Sequence, residues 1–261
     1  MDLWNTLIID PFVNTLLWIY NLLWHNFGLS VIVFTILVRL ITYPLTAAQQ
    51  KSTQAMQDLQ KSKEWQEIQK KYKDNKEKLQ QEQMKLYQQM CVNPFKSCLP
   101  TLIQFPLMIG LYQAIMRALS VTPFQLFDLL KHTYPIINVE NLIPMNNIFL
   151  WMDLSLPERD FGLKLIGIGI PIVAILVVVS TYIQSKLLTP ASNTPGDQSA
   201  QMAKSMNLMM PLLMGWISYT YSSGLALYFL ISNFVGILQY AIMGKLQWEN
   251  LIPAWIRRSK A

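Results

Sequence analysis

The segment Val31–Thr46, VIVFTILVRLITYPLT, is an apolar run with one arginine, Arg39, set deep inside it. A charged side chain at the centre of a bilayer costs roughly 2.5–3.5 kcal/mol on insertion scales, and arginine stays protonated in proteins. Either Arg39 faces water within a membrane, or the segment does not cross one. Composition bears on that choice. Of 261 residues, 52% are hydrophobic and 14% charged, against about 25% charged in ordinary soluble domains. The charge is also concentrated, with ten lysines and six acids in residues 46–96. Long uncharged stretches beside one charged block are the pattern of a polytopic membrane protein.

Taken in order, residues 1–26 are rich in Trp and Leu and broken at Asp10-Pro11. The apolar run that follows is short for a span, and Trp18, Tyr20 and Trp24 suit a membrane–water interface. An interfacial helix is expected there, a true span being the alternative. Residues 27–46 form the first span, in which Thr35, Arg39 and Thr42 share one helical face. Residues 47–95 turn polar, with apolar positions at Met56, Leu59, Trp65, Ile68, Tyr72, Leu79, Leu86 and Met90, interrupted at Asp74-Asn75. They predict a soluble, antiparallel helical hairpin, with a solvated coiled-coil linker as the plainer reading.

The second span, 96–118, contains Pro100 and Pro106 with Gln104 as a lone amide between them. Residues 119–162 read as a loop carrying short interfacial helices. The third span is 163–186, with Ser180 and Gln184 one turn apart, and a loop at 187–205 follows. Spans four and five, 206–221 and 224–244, are joined by Ser222-Ser223. The fourth is barely long enough to cross, so the bilayer would thin there. Tyr228, Ser232 and Gln239 fall on one face of the fifth, with Phe229 and Asn233 beside them. A basic tail, 245–261, closes the chain.

Segments between the spans alternate in charge. One set (46–96, 186–205, 245–261) holds 16 Lys and Arg; the other (1–26, 119–162 and the Ser222-Ser223 turn) holds 2. The positive-inside rule puts the first set in the cytoplasm, the N-terminus outside and the C-terminus inside. No cleavable signal peptide is evident at the N-terminus.

The spans hold no Asp or Glu, which proton-coupled carriers and intramembrane aspartyl proteases need. His25 and His132 lie outside them, Cys91 and Cys98 read as two unpaired thiols, and no phosphate loop or metal-ligand spacing occurs. No enzyme, cofactor or metal is expected. What remains is a buried positive charge among hydroxyls and amides, a site for holding something polar or anionic. The plainer reading is an arginine that only pins the bundle.

Several strings together resemble the YidC/Oxa/Albino membrane-protein insertases: ILVRLITYPLT at 36–46, NPFKSCLPTLIQFP at 93–106 with Leu111-Tyr112, Met209-Met210-Pro211, and SGLALYFLISN at 223–233. The resemblance implies an all-α integral membrane protein of a bacterial inner membrane. Its architecture is a five-helix transmembrane bundle with a cytoplasmic helical hairpin and an N-terminal interfacial helix. It implies a hydrophilic groove open to cytoplasm and lipid, with Arg39 at its centre and Thr35 and Gln184 around it. The same polar faces add Thr42, Gln104, Ser180, Tyr228 and Ser232 as groove candidates. Phe229 is a further groove candidate, at a position where the family often has Trp or Tyr, so a hydrogen bond is lost there; Ser222 stands where the family usually has Pro. The implied partners are nascent membrane proteins and the lipid bilayer, and no DNA. The ribosome, met through the hairpin and basic tail, and the Sec translocon are further candidates. The rival reading is a polytopic channel or carrier for a small anionic solute, which would need a continuous polar path and often repeat symmetry.

Overall fold

The structure, a computed structural model, describes residues 3–72, 75–90, 95–119, 122–137, 142–143, 145–161, 163–165, 168–188 and 198–244. The basic tail and most of the expected 187–205 loop lie outside these residues. The chain divides into two compact units. One comprises Met1–Leu40, Pro106–Thr189 and Asn207–Ala261, and the other Ile41–Phe105 and Pro190–Met206.

In the first unit a π-helical turn, Asn5–Ile9, runs into α1, Asp10–Leu22, with Pro11 in its first turn, where the missing N–H costs nothing. Val13, Leu16, Leu17 and Tyr20 repeat at helical spacing and are buried, while Trp18 and Leu22 on the other side are exposed. A helix of this length rises about 20 Å, less than the roughly 30 Å hydrocarbon core. The chain reverses through Trp24 and His25, both left-handed (φ 49° and 57°). Asn26 then caps α2, Phe27–Ile41, its Oδ1 accepting the Leu29 N–H at 3.0 Å. The helix breaks at Thr42, because Pro44 has no N–H for the carbonyl four residues back.

α6 (Phe95–Ala118) runs helical through Pro100 and Pro106, and its C-terminal half joins α1 and α2 in one core that includes Val13, Phe27, Val31, Leu111 and Ile115. Residues 119–162, expected as a loop with short helices, hold more order than the sequence suggests. α7 (Pro123–His132) opens with a capping box between Thr122 and Gln125. Its far end is tied to α1 and α6: His132 Nδ1 lies 2.7 Å from Asp10 Oδ1, and Arg117 Nε 3.1 Å from Asp128 Oδ2. A small hairpin follows, β1 (Ile148–Phe149) with β2 (Met152–Asp153), then the short α8, Glu158–Phe161.

The expected third span begins later than the hydropathy suggested. Leu163–Leu165 (β3) and Ile168–Ile170 (β4) pair antiparallel, and α9 runs Ile172–Leu188. Gly162, Gly167 and Gly169 are poor helix formers, and Pro171 disfavours helix in the residue before it. The fourth helix differs the other way: α10 is Gln198–Thr220, taking in polar residues before the apolar run, with Pro211 inside it. At 23 residues it rises roughly 34 Å, so the expected shortness belongs to the apolar part alone. α11, Ser223–Ile242, packs most closely on α9.

The segment 154–158 fastens α9 and α11 at their N-termini. Ser223 N–H donates to the Leu156 carbonyl (2.9 Å) and Gly224 N–H to that of Leu154 (3.1 Å). Glu158, 1% exposed, accepts the N–H groups of Val173 (2.8 Å) and Ala174 (2.9 Å), one on each carboxylate oxygen. Unpaired donors and the positive end of the α9 dipole together stabilise that carboxylate.

In the second unit the expected hairpin is three helices: α3 (Tyr43–Lys61), α4 (Lys63–Lys71) and α5 (Lys76–Gln89). Ser62 adopts an extended conformation (φ −63°, ψ 153°) and its side chain accepts the Trp65 N–H, ending one helix and capping the next. Trp65, Leu59 and Leu86 form the core, with Ile68 and Tyr87 against it.

Candidate functional site

Polarity in the first unit is the reverse of a soluble domain's. Exposed faces of α6, α9, α10 and α11 carry Ile109, Leu176, Val179, Leu212, Phe234 and Leu238, whereas Ser180, Ser232, Asn233 and Gln239 are buried between helices. Apolar outside and hydrogen-bonded polar inside is the arrangement a lipid solvent imposes. Among the described residues Ser223–Ile242 is long and apolar enough to cross a bilayer alone, Phe27–Ile41 with Tyr43–Gln60 passes only as a bent pair, and Ile172–Leu187 is apolar but shorter.

The polar interior centres on Arg39, in the last turn of α2. Its Nε donates to Ser232 Oγ at 2.8 Å, and its Nη2 donates to the same hydroxyl. The phenol groups of Tyr228 and Tyr240 lie within electrostatic reach of the guanidinium. Gln239 Nε2 donates to the Arg39 carbonyl at 2.9 Å, satisfying a backbone acceptor at the helix end. Ser232, Gly236 and Gln239 thus form one stripe of α11, at i, i+4 and i+7, along the arginine. A Cβ built on Gly236 would stand 2.5 Å from Gln184 Nε2 and 3.8 Å from Arg39 Cζ, so amide and guanidinium converge over that glycine. One turn earlier Asn233 Nδ2 donates to Ser180 Oγ (3.0 Å) and Thr181 Oγ1 (2.8 Å), joining α11 to α9.

The residues singled out in the sequence are distributed unevenly around this centre. Arg39, Ser232 and Gln184 come together, with Tyr228 in reach. Ser180 belongs to the Asn233 link, and its hydroxyl donates to the Val177 carbonyl. Thr35 is fully buried and donates to the Val31 carbonyl at 2.6 Å, so its hydroxyl closes on its own helix. Phe229 joins the apolar core, its ring tilted on that of Tyr228 at 5.6 Å. Thr42 marks the break after α2, and its carbonyl accepts from the Thr46 N–H and hydroxyl. Gln104 is helical, but its side chain lies outside the described residues.

Sequence reasoning passed over Gly236, Tyr240, Thr181 and Glu158. Ser232-x-x-x-Gly236 is a small-x-x-x-small pattern, the sign of close helix approach, and would have pointed to the first. Glu158 has no such signal, since its partners lie 15 and 16 residues away.

A helical fold with apolar outer faces and polar side chains buried around an arginine has the pattern of an integral membrane protein. Its sequence matches the 60Kd inner membrane protein family over residues 18–250, and the chain belongs to that family. It is 33% identical to the membrane protein insertase YidC of Oceanobacillus iheyensis, over 93% of this chain and 84% of the relative. To the membrane protein insertase YidC 2 of Listeria innocua it is 35% identical, over 98% of this chain and 79% of that one. The fold is similar to the crystal structure of an active YidC insertase with its first transmembrane domain resolved (TM-score 0.57, 24% identity, 92% of this chain). This chain spans 47% of that longer protein. The relatives are insertases of the cell membrane, not enzymes, and neither is this chain.

Proposed function

We propose that this chain inserts nascent membrane proteins into the lipid bilayer, using the polar interior around Arg39 as a hydrophilic groove open to cytoplasm and lipid. The observation that carries the reading is Arg39 itself, held by a neutral hydroxyl and bordered by the Gln184 amide within apolar helices. The helices read as spans contain no Asp or Glu, and the acidic group assigned to Arg39 on this reading is the substrate's. A polar tail of the substrate enters the groove, where its acidic residues are attracted to the guanidinium. The apolar segment leaves into lipid, driven by burial worth roughly 25 cal/mol per Å². No nucleotide or metal is needed.

On this reading α2, α6, α9, α10 and α11 are the five spans. The N-terminus lies outside and the C-terminus in the cytoplasm, as the distribution of Lys and Arg supports. The helices of the second unit, with their lysines, face the cytoplasm and meet the substrate or the ribosome. The basic tail touches anionic lipid or ribosomal RNA, and the Sec translocon is a further partner.

The test is insertion of a single-span substrate with an acidic tail into liposomes holding this protein alone. Arg39→Ala and Arg39→Glu are expected to lower insertion, the second more than the first. Equal insertion by both variants and the wild type would refute the charged-groove mechanism.

A further inference from the structure

We infer that Gly236 is a positioning residue of the groove: its missing side chain lets the Gln184 amide stand beside the Arg39 guanidinium, and the pair is thereby set for a substrate carboxylate. The inference rests on the insertase reading and names the chemistry that the site selects.

The geometry is specific. The point where a Cβ would sit on residue 236 lies 2.5 Å from Gln184 Nε2, 3.7 Å from Gln184 Cδ and 3.8 Å from Arg39 Cζ. Non-bonded heavy atoms settle at about 3.5–4.0 Å. Even alanine therefore drives the Gln184 amide back by about 1 Å or more, while the arginine carbon is already at ordinary contact distance. What yields is the end of a flexible side chain, not a backbone. At Gly28 and Gly110 the added atom would instead meet Phe149 and Ile8 of other packed elements. Substitution at 236 thus leaves the helix packing intact and changes one thing, the place of the amide.

That place has chemical content. A carboxylate offers two acceptor oxygens. A guanidinium carries five N–H donors in a planar fork, and an amide nitrogen carries two. Side by side they present donors from two directions, which favours a group with two oxygens on one carbon over a single hydroxyl or carbonyl. The predicted preference is for substrates whose polar tails carry Asp or Glu over isosteric tails carrying Asn or Gln.

The experiment measures insertion of two single-span substrates, identical except for an Asp/Glu or an Asn/Gln tail, into liposomes holding the full chain. The readout is the ratio of acidic-tail to neutral-tail insertion. Gly236→Ala is expected to lower that ratio roughly three- to tenfold, the scale of one lost hydrogen bond. Gln184→Ala should lower it by a similar factor. The double variant should be no worse than either alone, because both changes remove the same amide. Thermal unfolding of Gly236→Ala in detergent should match the wild type. An unchanged ratio, an equal loss for both tails, or additive losses in the double variant would overturn the inference. If Gly236→Ala fails to fold, the claim that only the amide moves is wrong, and Gln184→Ala alone still tests the carboxylate preference. A wild-type chain that inserts neither substrate sinks the insertase reading instead, whereas an Arg39→Glu variant that behaves as wild type refutes the charged groove on which this inference rests.

Discussion

Replacing Glu158 with alanine removes both acceptors that close the first turn of α9. The carboxylate is 1% exposed, and the amides it serves belong to Val173 and Ala174, themselves 2% and 4% exposed. Water has little access to take over. A hydrogen bond to a charged group contributes about 1.5–3 kcal/mol, and an orphaned buried donor costs about 1–3 kcal/mol. The lost charge at the helix N-terminus adds about 0.3–1 kcal/mol. These terms overlap, so Glu158→Ala should destabilise the chain by about 3–6 kcal/mol. At about 2–4 °C per kcal/mol for a chain of this size, the unfolding midpoint falls by roughly 6–24 °C. Glu158→Gln keeps one acceptor oxygen but turns a donor towards the other amide, and should lose about half as much. Thermal unfolding in detergent, followed by tryptophan fluorescence, measures all three chains. Asp160→Asn, half-exposed, is the control and should shift stability by less than about 0.5 kcal/mol. If Glu158→Ala matches the control, or the glutamine and alanine variants are alike, the two-amide cap does not hold α9.

Two other changes test the packing of each unit. Gly28→Ala puts a carbon 2.1 Å from Phe149 Cγ and 2.6 Å from Phe149 Cβ; β1 must move, and overpacking of this kind should cost about 1–3 kcal/mol, read as a lower unfolding midpoint. Trp65→Ala empties the small core of the second unit, where Trp65 is 1% exposed against Leu86 and Tyr87. The loss should be about 3–5 kcal/mol, enough to unfold α4 and α5 locally, so limited proteolysis should cut within 62–89 faster while the first unit stays protected.

What could be read from the sequence followed from local rules. The helical spacing on α11 placed Ser232 and Gln239 on one face, while Pro44 could have announced the end of α2 at Ile41, short of the expected 46, and Ser62 the break before α4. The parts that escaped depend on distant partners. Glycines and Pro171 turned the start of the expected third span into the β3–β4 pair, against a hydropathy that reads as continuous. Glu158 looked like one acid among several in a loop, since nothing beside it shows that it caps a helix 15 residues on. Thr35 shared a face with Arg39, yet a threonine in a helix has its own i−4 carbonyl within reach, and Val31 took the hydroxyl.

The break at Thr42 also bears on the cost of Arg39. Because Pro44 stops α2, the arginine falls in the final turn of that helix. The negative end of the helix dipole there favours a cation by about 0.3–2 kcal/mol. Ser232 adds a hydrogen bond to a charged group, about 1.5–3 kcal/mol. Together these match the roughly 2.5–3.5 kcal/mol that an arginine costs at the centre of a membrane helix. Gln239 takes the Arg39 carbonyl, so the same stripe of α11 steadies both the backbone and the side chain. The Ser232 hydroxyl and the helix dipole are both neutral groups. Hydrogen bonds with both partners ionised are shorter and stronger than those with one neutral partner. On the proposed insertase reading, a substrate carboxylate that reaches Arg39 competes with the Ser232 hydroxyl for the guanidinium. On the insertase reading this is the property that matters: the bundle holds the charge tightly enough to keep it in the membrane and loosely enough to exchange partners.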